Sequence, residues 1–234
     1  MENRTKPGLS GNSLKIIAML AMLIDHIGVY LFPRVLALRA VGRLAFPIFA
    51  YMIAEGCAHT KSRRRYLLTI AGLGILCQVV ATVVTRTLYQ NILLTFSFSI
   101  AIVYCADAWK RAQRHRTRLF ASLALFHIAF VVILLPWLLE NYGFAFDYGA
   151  LGVFLPIGLY YLPKKGHRLI FLTVTLIAFT VLWGGWIRLF SFLAVPLLAL
   201  YNGKRGKAKL KYLFYIFYPT HLVLLYLIAE FFIR

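Results

Sequence analysis

The fold class follows from residues 14–32, LKIIAMLAMLIDHIGVYLF, a run that is apolar apart from a few polar side chains. A helix that crosses the roughly 30 Å hydrocarbon core of a bilayer needs about 20 such residues, so the run is typical of a membrane span. The whole chain is 62% hydrophobic and 14% charged, whereas a soluble domain is about 45–50% apolar and about 25% charged. This composition excludes soluble enzymes, disordered chains, coiled coils and secreted disulfide scaffolds.

Eight more apolar runs follow the first one. We therefore predict an all-α, polytopic integral membrane helix bundle of about nine transmembrane helices, with spans at 14–32, 40–58, 66–85, 91–109, 119–139, 148–162, 169–183, 186–201 and 212–232. A transmembrane β-barrel would show alternating ten-residue segments instead. The Gly184-Gly185 pair is either a tight turn between two short spans or a break inside a re-entrant pair. Because no linker or internal repeat interrupts the chain, residues 1–234 are predicted to form one domain.

The first run is predicted to remain in the protein as its first span. It is long for the apolar region of a signal peptide, it carries Asp25 and His26, and no A-x-A pattern follows it. The three cysteines lie inside or at the edge of apolar runs without a C-x-x-C spacing, so no metal site is predicted.

The cations predict the orientation of the chain in the membrane. With the N-terminus in the cytoplasm, 20 of the 26 Lys and Arg residues fall in cytoplasmic loops, and six fall outside: Arg34, Arg39, Arg43, Arg86, Arg188 and Arg234. Such an excess of cytoplasmic cations is what the positive-inside rule describes. We therefore predict a multi-pass protein of the bacterial inner membrane with its N-terminus inside and its C-terminus outside. The net charge of +19 is assigned to topology and to anionic lipids or ligands, and not to nucleic acid.

Ionisable side chains within membrane spans are costly and mark functional positions. The predicted spans contain Asp25, His26, Glu55, His127 and His221, with the uncharged Gln78 and Asn91 as supporting polar groups. Asp25 and His26 are consecutive and therefore point about 100° apart on a helix. We expect Asp25 to be held between helices, where it pairs with Arg43 or orients His221, and His26 to face a cavity.

Two other spans carry polar side chains on a shared helix face. Glu55 and His59 are four residues apart, with a salt bridge from Glu55 to Arg63 or Arg64 as the alternative. In the last span, Tyr215, Tyr218 and His221 follow one another at intervals of three. They predict a polar path from the cytoplasmic surface to the middle of the membrane.

A basic turn, Asn202-Gly203-Lys204-Arg205-Gly206, precedes the last span. Its glycines permit unusual backbone angles, and backbone N–H groups combined with cations can bind an anion. The chain contains no G-x-S-x-G, HExxH, P-loop or G-x-G-x-x-G motif, so hydrolase, zinc and P-loop activities have no support.

Three sets of residues resemble the TraX family of membrane proteins. They are Leu14–Leu20 with Ile24-Asp25-His26-Ile27-Gly28, then Gly42-Arg43-Leu44-Ala45-Phe46-Pro47-Ile48-Phe49-Ala50 with Glu55-Gly56, and finally the 201–206 turn with Lys211-Tyr212, Phe214-Tyr215 and Tyr218-Pro219-Thr220-His221. The matches span nearly the whole chain in the same order, although 92–146 adds little. The family is linked to N-terminal acetylation of conjugative F-pilin and resembles the acyltransferase-three group of membrane enzymes.

The resemblance implies an acyltransferase that takes an acetyl or acyl group from cytoplasmic acyl-CoA, without a metal. His26 is then the catalytic candidate and Asp25 its neighbour, with His221 as a second candidate for the base. The candidates for binding CoA are Lys15, Arg43, Asn202, Lys204, Arg205, Lys211, Tyr215 and Tyr218, and the supporting residues are Glu55, Gln78 and Asn91. The partners of the chain would be membrane lipids, acyl-CoA and an acceptor protein, lipid or glycan that offers an amine or hydroxyl.

Two other functions remain open on the sequence. Buried ionisable groups and interrupted helices are also typical of a proton-coupled transporter. A non-enzymatic factor for pilus or surface assembly would need the packing of the helices but neither histidine.

Overall fold

The computed structural model describes residues 8–232, apart from the side chains of residues 84, 85, 211 and 232. Within those residues the regular structure is helical: α1 (Gly11–Tyr30), α2 (Leu36–Gly42), α3 (Ala45–His59), α4 (Arg63–Thr85), α5 (Ile92–Arg111), α6 (His115–Ala129), a π-helical turn (Phe130–Leu134), α7 (Leu135–Leu138), a 3₁₀ turn (Glu140–Tyr142), α8 (Gly149–Tyr161), α9 (Lys165–Trp183), a 3₁₀ segment (Trp186–Leu193), α10 (Ala194–Ala199) and α11 (Lys211–Phe232). The predicted all-α class is confirmed.

Seven stretches of the described chain are long and apolar enough to cross a membrane: Gly11–Tyr30, Leu36–His59, Arg63–Val83, Ile92–Arg111, His115–Leu138, Lys165–Trp183 and Tyr212–Phe231. The predicted spans at 148–162 and 186–201 correspond to two shorter apolar stretches, Gly149–Tyr161 and Trp186–Ala199. The chain is therefore a helical membrane protein. The Gly184-Gly185 pair connects α9 to the 3₁₀ segment, and both residues have positive φ angles, 63° and 88°, that favour glycine.

The chain divides into two compact units. Unit 1 contains the described residues of Met1–Met52 and of Lys164–Arg234, and unit 2 contains Ile53–Pro163. Unit 2 is thus inserted in the sequence of unit 1, and its ends lie within α3 and just before α9.

In unit 1, several chain segments meet at one end of the helices. Leu9 pairs with Tyr201 in an isolated bridge, and the ammonium of Lys165 donates to the carbonyl oxygens of Tyr201, at 2.7 Å, and Ala199. The stretch from Trp186 to Ala199 therefore brings the chain back to the end at which α9 begins. This end also contains Tyr51, whose ring lies 5.7 Å from the guanidinium carbon of Arg168.

In unit 2, α5 and α8 run parallel and contact each other along their lengths. The hydroxyl of Thr95 donates to the carbonyl of Asp147 (3.2 Å) and that of Ser99 to the carbonyl of Val153 (2.7 Å). At the other end, Tyr160 donates to Asp107 (2.8 Å). The 13 residues of α8 thus accompany α5 from Thr95 to Asp107.

Asn91 joins α4 to α5 in unit 2. Its side-chain oxygen accepts from the N–H groups of Leu93 and Leu94 at the start of α5, and its amide donates to Gly74 (2.9 Å) and Gln78 (3.0 Å) in α4.

We predict that Asn91→Ala lowers the free energy of unfolding by about 2 kcal/mol, because it removes a helix cap and leaves polar groups unpaired. Thermal unfolding in detergent measures the change. Asn91→Ser, which keeps a capping oxygen without placing a charge beside the Gly74 carbonyl, should lose less stability than Asn91→Ala. Equal losses for both variants would contradict the capping role.

Candidate functional site

Two histidines from opposite ends of the sequence lie side by side in unit 1. Nδ1 of His26, in α1, is 3.0 Å from Nε2 of His221, in α11, and the ring centroids are 5.0 Å apart. The His221 ring stacks on Phe217 at 4.6 Å and meets the Tyr218 ring edge-on. His221 is buried, with 4% of its surface exposed, whereas His26 is only half-buried. Of the pair, His26 is therefore the more exposed ring.

The hydrogen bonds assign the protons of the neutral pair. Nδ1 of His221 lies 2.7 Å from the carbonyl oxygen of Phe217, which can only accept, so this nitrogen carries the proton. Nε2 of His221 is then an acceptor, and Nδ1 of His26 must donate to it. His26 consequently keeps an unprotonated Nε2, the atom that a general base needs.

Asp25 does not orient either histidine, because it is held by two arginines. Arg43 donates to one carboxylate oxygen at 2.9 Å, and Arg39 donates to the other at 3.2 Å. All three side chains are largely covered, with exposures of 16% for Asp25, 17% for Arg43 and 30% for Arg39. Of the two roles expected for Asp25, the pairing with Arg43 is confirmed.

Two glycines allow α1 and α2 to approach closely enough for this ion pair. A Cβ atom at Gly42 would collide with the carboxylate of Asp25, and one at Gly28 would lie 2.9 Å from Cβ of Leu38. The carboxylate therefore fills the space that a side chain at position 42 would need.

The basic turn at 202–206 packs on the start of α1. The carbonyls of Lys204 and Arg205 accept from the N–H groups of Gly11 and Asn12, at 2.8 and 2.9 Å. Asn202 is used within the turn, since its oxygen accepts from the N–H of Lys204 (2.9 Å). The backbone thus stabilises the turn, and the exposed side chains of Lys204 and Arg205 are what the turn offers to an anion.

Further candidate residues of unit 1 lie along α1 and α11, between this turn and the two histidines. The ammonium of Lys15 lies 5.6 Å from the Phe214 ring, and Arg205 lies within electrostatic range of Lys15 and Tyr215. Lys15 precedes His26 by eleven residues, or about 16 Å along α1. On α11, Tyr215 is half-buried and Tyr218 is buried before His221 is reached. The predicted polar path therefore has its cationic end and its histidine end in one unit.

The other candidates lie elsewhere. Glu55 belongs to unit 2, where its carboxylate lies 3.8 Å from His59. Gln78 and Asn91 join α4 to α5 in the same unit. Lys211 begins α11, and its side chain is outside the described residues.

Sequence reasoning missed two polar groups. Arg39 was assigned only to the outer loop, although its spacing of four from Arg43 places both on one helix face. In unit 2, the buried Asp107 accepts from Arg63 (2.6 Å), Tyr160 (2.8 Å) and Tyr161 (3.2 Å). Asp107 lies inside the predicted span 91–109, and a charged residue inside a membrane span is the signal that could have identified it.

Comparisons with known proteins find one family and two relatives. The model of a family described as TraX protein matches residues 10–229. "Uncharacterized protein RP591" of Rickettsia prowazekii (strain Madrid E) is 29% identical over 133 residues, which cover 56% of this chain and 49% of that protein. "Probable fimbrial assembly protein FimC, serogroup H1" of Dichelobacter nodosus is 26% identical over 244 residues, covering 92% of this chain and 94% of that protein. The chain spans about half the length of the Rickettsia protein in this match. No solved structure matches.

Proposed function

The chain belongs to the TraX family, and from that premise we propose that it is an integral-membrane acyltransferase in which His26 is the general base. The observation that supports this most is the hydrogen bond between His26 and His221, which leaves Nε2 of a half-buried His26 unprotonated. An acetyl or other acyl group would pass from acyl-CoA to an amine or hydroxyl.

In the proposed reaction, the acceptor nitrogen or oxygen attacks the carbonyl carbon of the thioester. Nε2 of His26 takes the acceptor proton, and Nδ1–H of the resulting imidazolium stays hydrogen-bonded to His221. When the tetrahedral intermediate collapses, the C–S bond breaks and His26 returns the proton to the CoA sulfur. A base placed this way contributes about 100- to 10,000-fold to the rate.

The donor would enter from the basic end of unit 1. The phosphates of CoA need cations, and Lys15 and Arg205 lie together at that end. The long pantetheine arm would then extend along α1 toward the histidines, about 16 Å away. Guanidinium groups suit phosphate oxygens because their donors form a planar fork.

The proposed topology has nine crossings with the N-terminus in the cytoplasm. In unit 1, the contact of Lys165 with Tyr201 supports a crossing by Lys165–Trp183 and a return by Trp186–Ala199. In unit 2, the parallel run of α5 and α8 supports a crossing by Gly149–Tyr161. Nine crossings keep the basic segments on one side, in the inner membrane, as the positive-inside rule requires.

The acceptor is proposed to belong to the cell envelope. One relative is named a probable fimbrial assembly protein, and this name favours a pilus-related acceptor or partner. The same name also favours a second candidate function, a non-enzymatic assembly factor. That function predicts that substitution of His26 leaves surface assembly intact.

The test is an acyl-transfer assay with purified protein in liposomes, acetyl-labelled acetyl-CoA and an envelope extract. We expect the label to appear covalently in a protein, lipid or glycan. Flux of a substrate without a covalent product would favour a transporter, and the absence of transfer and of binding across several acyl-CoAs would contradict the proposal.

Arg205→Gln is expected to raise the KM for acetyl-CoA about tenfold at low salt, with kcat unchanged, because one charge-assisted hydrogen bond to phosphate is lost. Lys207→Gln is the matched control, since Lys207 is an exposed cation of the same connection. If both variants raise the KM equally, the basic connection acts only through its total charge.

A further inference from the structure

The cations outside the basic loops are all arginines, whereas the basic loops contain both lysine and arginine. All ten lysines fall in segments assigned to the cytoplasm, whereas the six exterior positions are all arginine: Arg34, Arg39, Arg43, Arg86, Arg188 and Arg234. Arginine differs from lysine in presenting a planar fork of donors that matches a carboxylate or a phosphate. The exterior arginines are therefore candidates for recognition of such groups.

Most of the exterior arginines in the described chain already have structural roles. Arg188 donates to the carbonyls of Trp183 (3.1 Å) and Gly184 at the end of α9. Arg86 has a left-handed backbone conformation, and its N–H caps the end of α4. Arg43 donates to Asp25 and also, through Nε, to the carbonyl of Arg39 (3.3 Å).

Arg39 differs from Arg43 and Arg188 because a single ion pair holds its guanidinium in place while most of its donors are unused. Its guanidinium makes one hydrogen bond, to Asp25, within the described residues, and a guanidinium has five N–H donors. The side chain is 30% exposed, more than that of Arg43 or Asp25. Since one carboxylate faces two guanidinium groups, the cluster of Asp25, Arg39 and Arg43 carries a net charge of +1.

The cluster lies beside the histidines. Asp25 precedes His26 in α1, and the charges of Arg39 and Arg43 fall within electrostatic range of the His26 ring. Tyr30 lies one turn beyond His26 on the same face, with its ring 6.2 Å from that of His26, and its hydroxyl makes no hydrogen bond to any described residue. Ion pairing with Asp25 holds the Arg39 guanidinium in this position.

We propose that Arg39, assisted by the hydroxyl of Tyr30, binds an anionic group of the acceptor, a carboxylate or a phosphate, next to His26. The inference rests on the proposed acyl transfer. CoA approaches from the end of α1 that carries Lys15, and the acceptor approaches from the opposite end, where its charge is matched by Arg39. Asp25 holds the guanidinium in place without neutralising the cluster.

The first experiment measures anion binding without turnover. Thermal unfolding of the detergent-solubilised protein is followed with acetate or inorganic phosphate at constant ionic strength. Saturable stabilisation is expected for the wild type and for the control Arg34→Gln, which changes an exposed arginine in the connection between α1 and α2. Arg39→Gln should lose that part of the stabilisation, and Arg39→Lys should lose most of it. Equal stabilisation of wild type and Arg39→Gln by both anions would overturn the proposal.

The second experiment compares acceptors that differ only in the anionic group: glycine with glycinamide, and phosphoethanolamine with ethanolamine. Arg39→Gln should raise the KM of the preferred anionic acceptor about tenfold to a hundredfold, with the KM values for acetyl-CoA and the matched uncharged acceptor unchanged. The acceptor pair whose KM values respond to Arg39→Gln shows whether the site binds a carboxylate or a phosphate. An equal rise for charged and uncharged acceptors would overturn the proposal. If the wild type transfers no acetyl group but anion stabilisation still depends on Arg39, the proposed transfer fails and the anion site stands.

Discussion

His26→Ala is expected to lower the rate of acyl transfer at least 100-fold, and up to about 10,000-fold, because it removes the nitrogen that accepts the proton of the attacking group. The KM for acetyl-CoA should change little, since the cations proposed to bind CoA lie about 16 Å away along α1. Initial rates in liposomes, at matched amounts of folded protein, measure the loss.

Two other histidines complete this experiment. His221→Ala removes the acceptor of the His26 proton but leaves the base, so we expect a loss of about tenfold. His59→Ala changes an exposed histidine of unit 2, with 72% of its side chain accessible, and should leave transfer unchanged. A folded His26→Ala protein that transfers the acyl group at the wild-type rate would contradict the assignment of His26 as the general base.

Gly42→Ala is expected to produce the largest loss of stability. The new methyl group would occupy the position of the Asp25 carboxylate, so either the helices separate or the ion pairs to Arg39 and Arg43 break. Overpacking costs about 1–3 kcal/mol, and breaking a buried ion pair costs about 3–5 kcal/mol. We therefore expect a loss of about 3 kcal/mol in the free energy of unfolding.

The matched control for Gly42→Ala is Gly72→Ala. Gly72 also lies in a helix, and a Cβ atom there would meet nothing within 4 Å. Because alanine has the higher helix propensity, this variant should be as stable as the wild type or slightly more stable. Similar losses at both positions, in unfolding midpoints measured in detergent, would show that the Asp25 contact is not the cause.

Helix positions were predictable from the sequence because the apolar runs are long. The run at 14–32 corresponds to α1, Gly11–Tyr30, and the run at 91–109 to α5, Ile92–Arg111. Boundaries shift by a few residues because caps such as Ser10, whose hydroxyl accepts from the N–H of Ser13 (3.1 Å), lie outside the apolar pattern. The sequence leaves two alternatives for Gly184-Gly185, because a turn between two spans and a break inside a re-entrant pair both favour glycine.

The partners of the polar residues were less predictable. Helical periodicity shows that Asp25 and His26 face different directions, but it does not show which helix lies on each side. His26 and His221 are separated by 195 residues, so their contact depends on the packing of α1 against α11. Gln78 and Asn91, predicted as supporting polar groups, make hydrogen bonds that join α4 to the start of α5, and the identity of these partners depends on the connection at 86–91.

The central claim is that His26 presents an unprotonated Nε2 while its Nδ1 proton is shared with His221. Solid-state ¹⁵N NMR of histidine-labelled protein in lipid tests it, with the six histidines assigned by single substitutions. We predict that His26 is protonated at Nδ1 and not at Nε2, and that His221→Gln shifts the Nδ1 signal. A proton on Nε2 of His26, or an Nδ1 signal of His26 that does not shift in His221→Gln, would contradict the account.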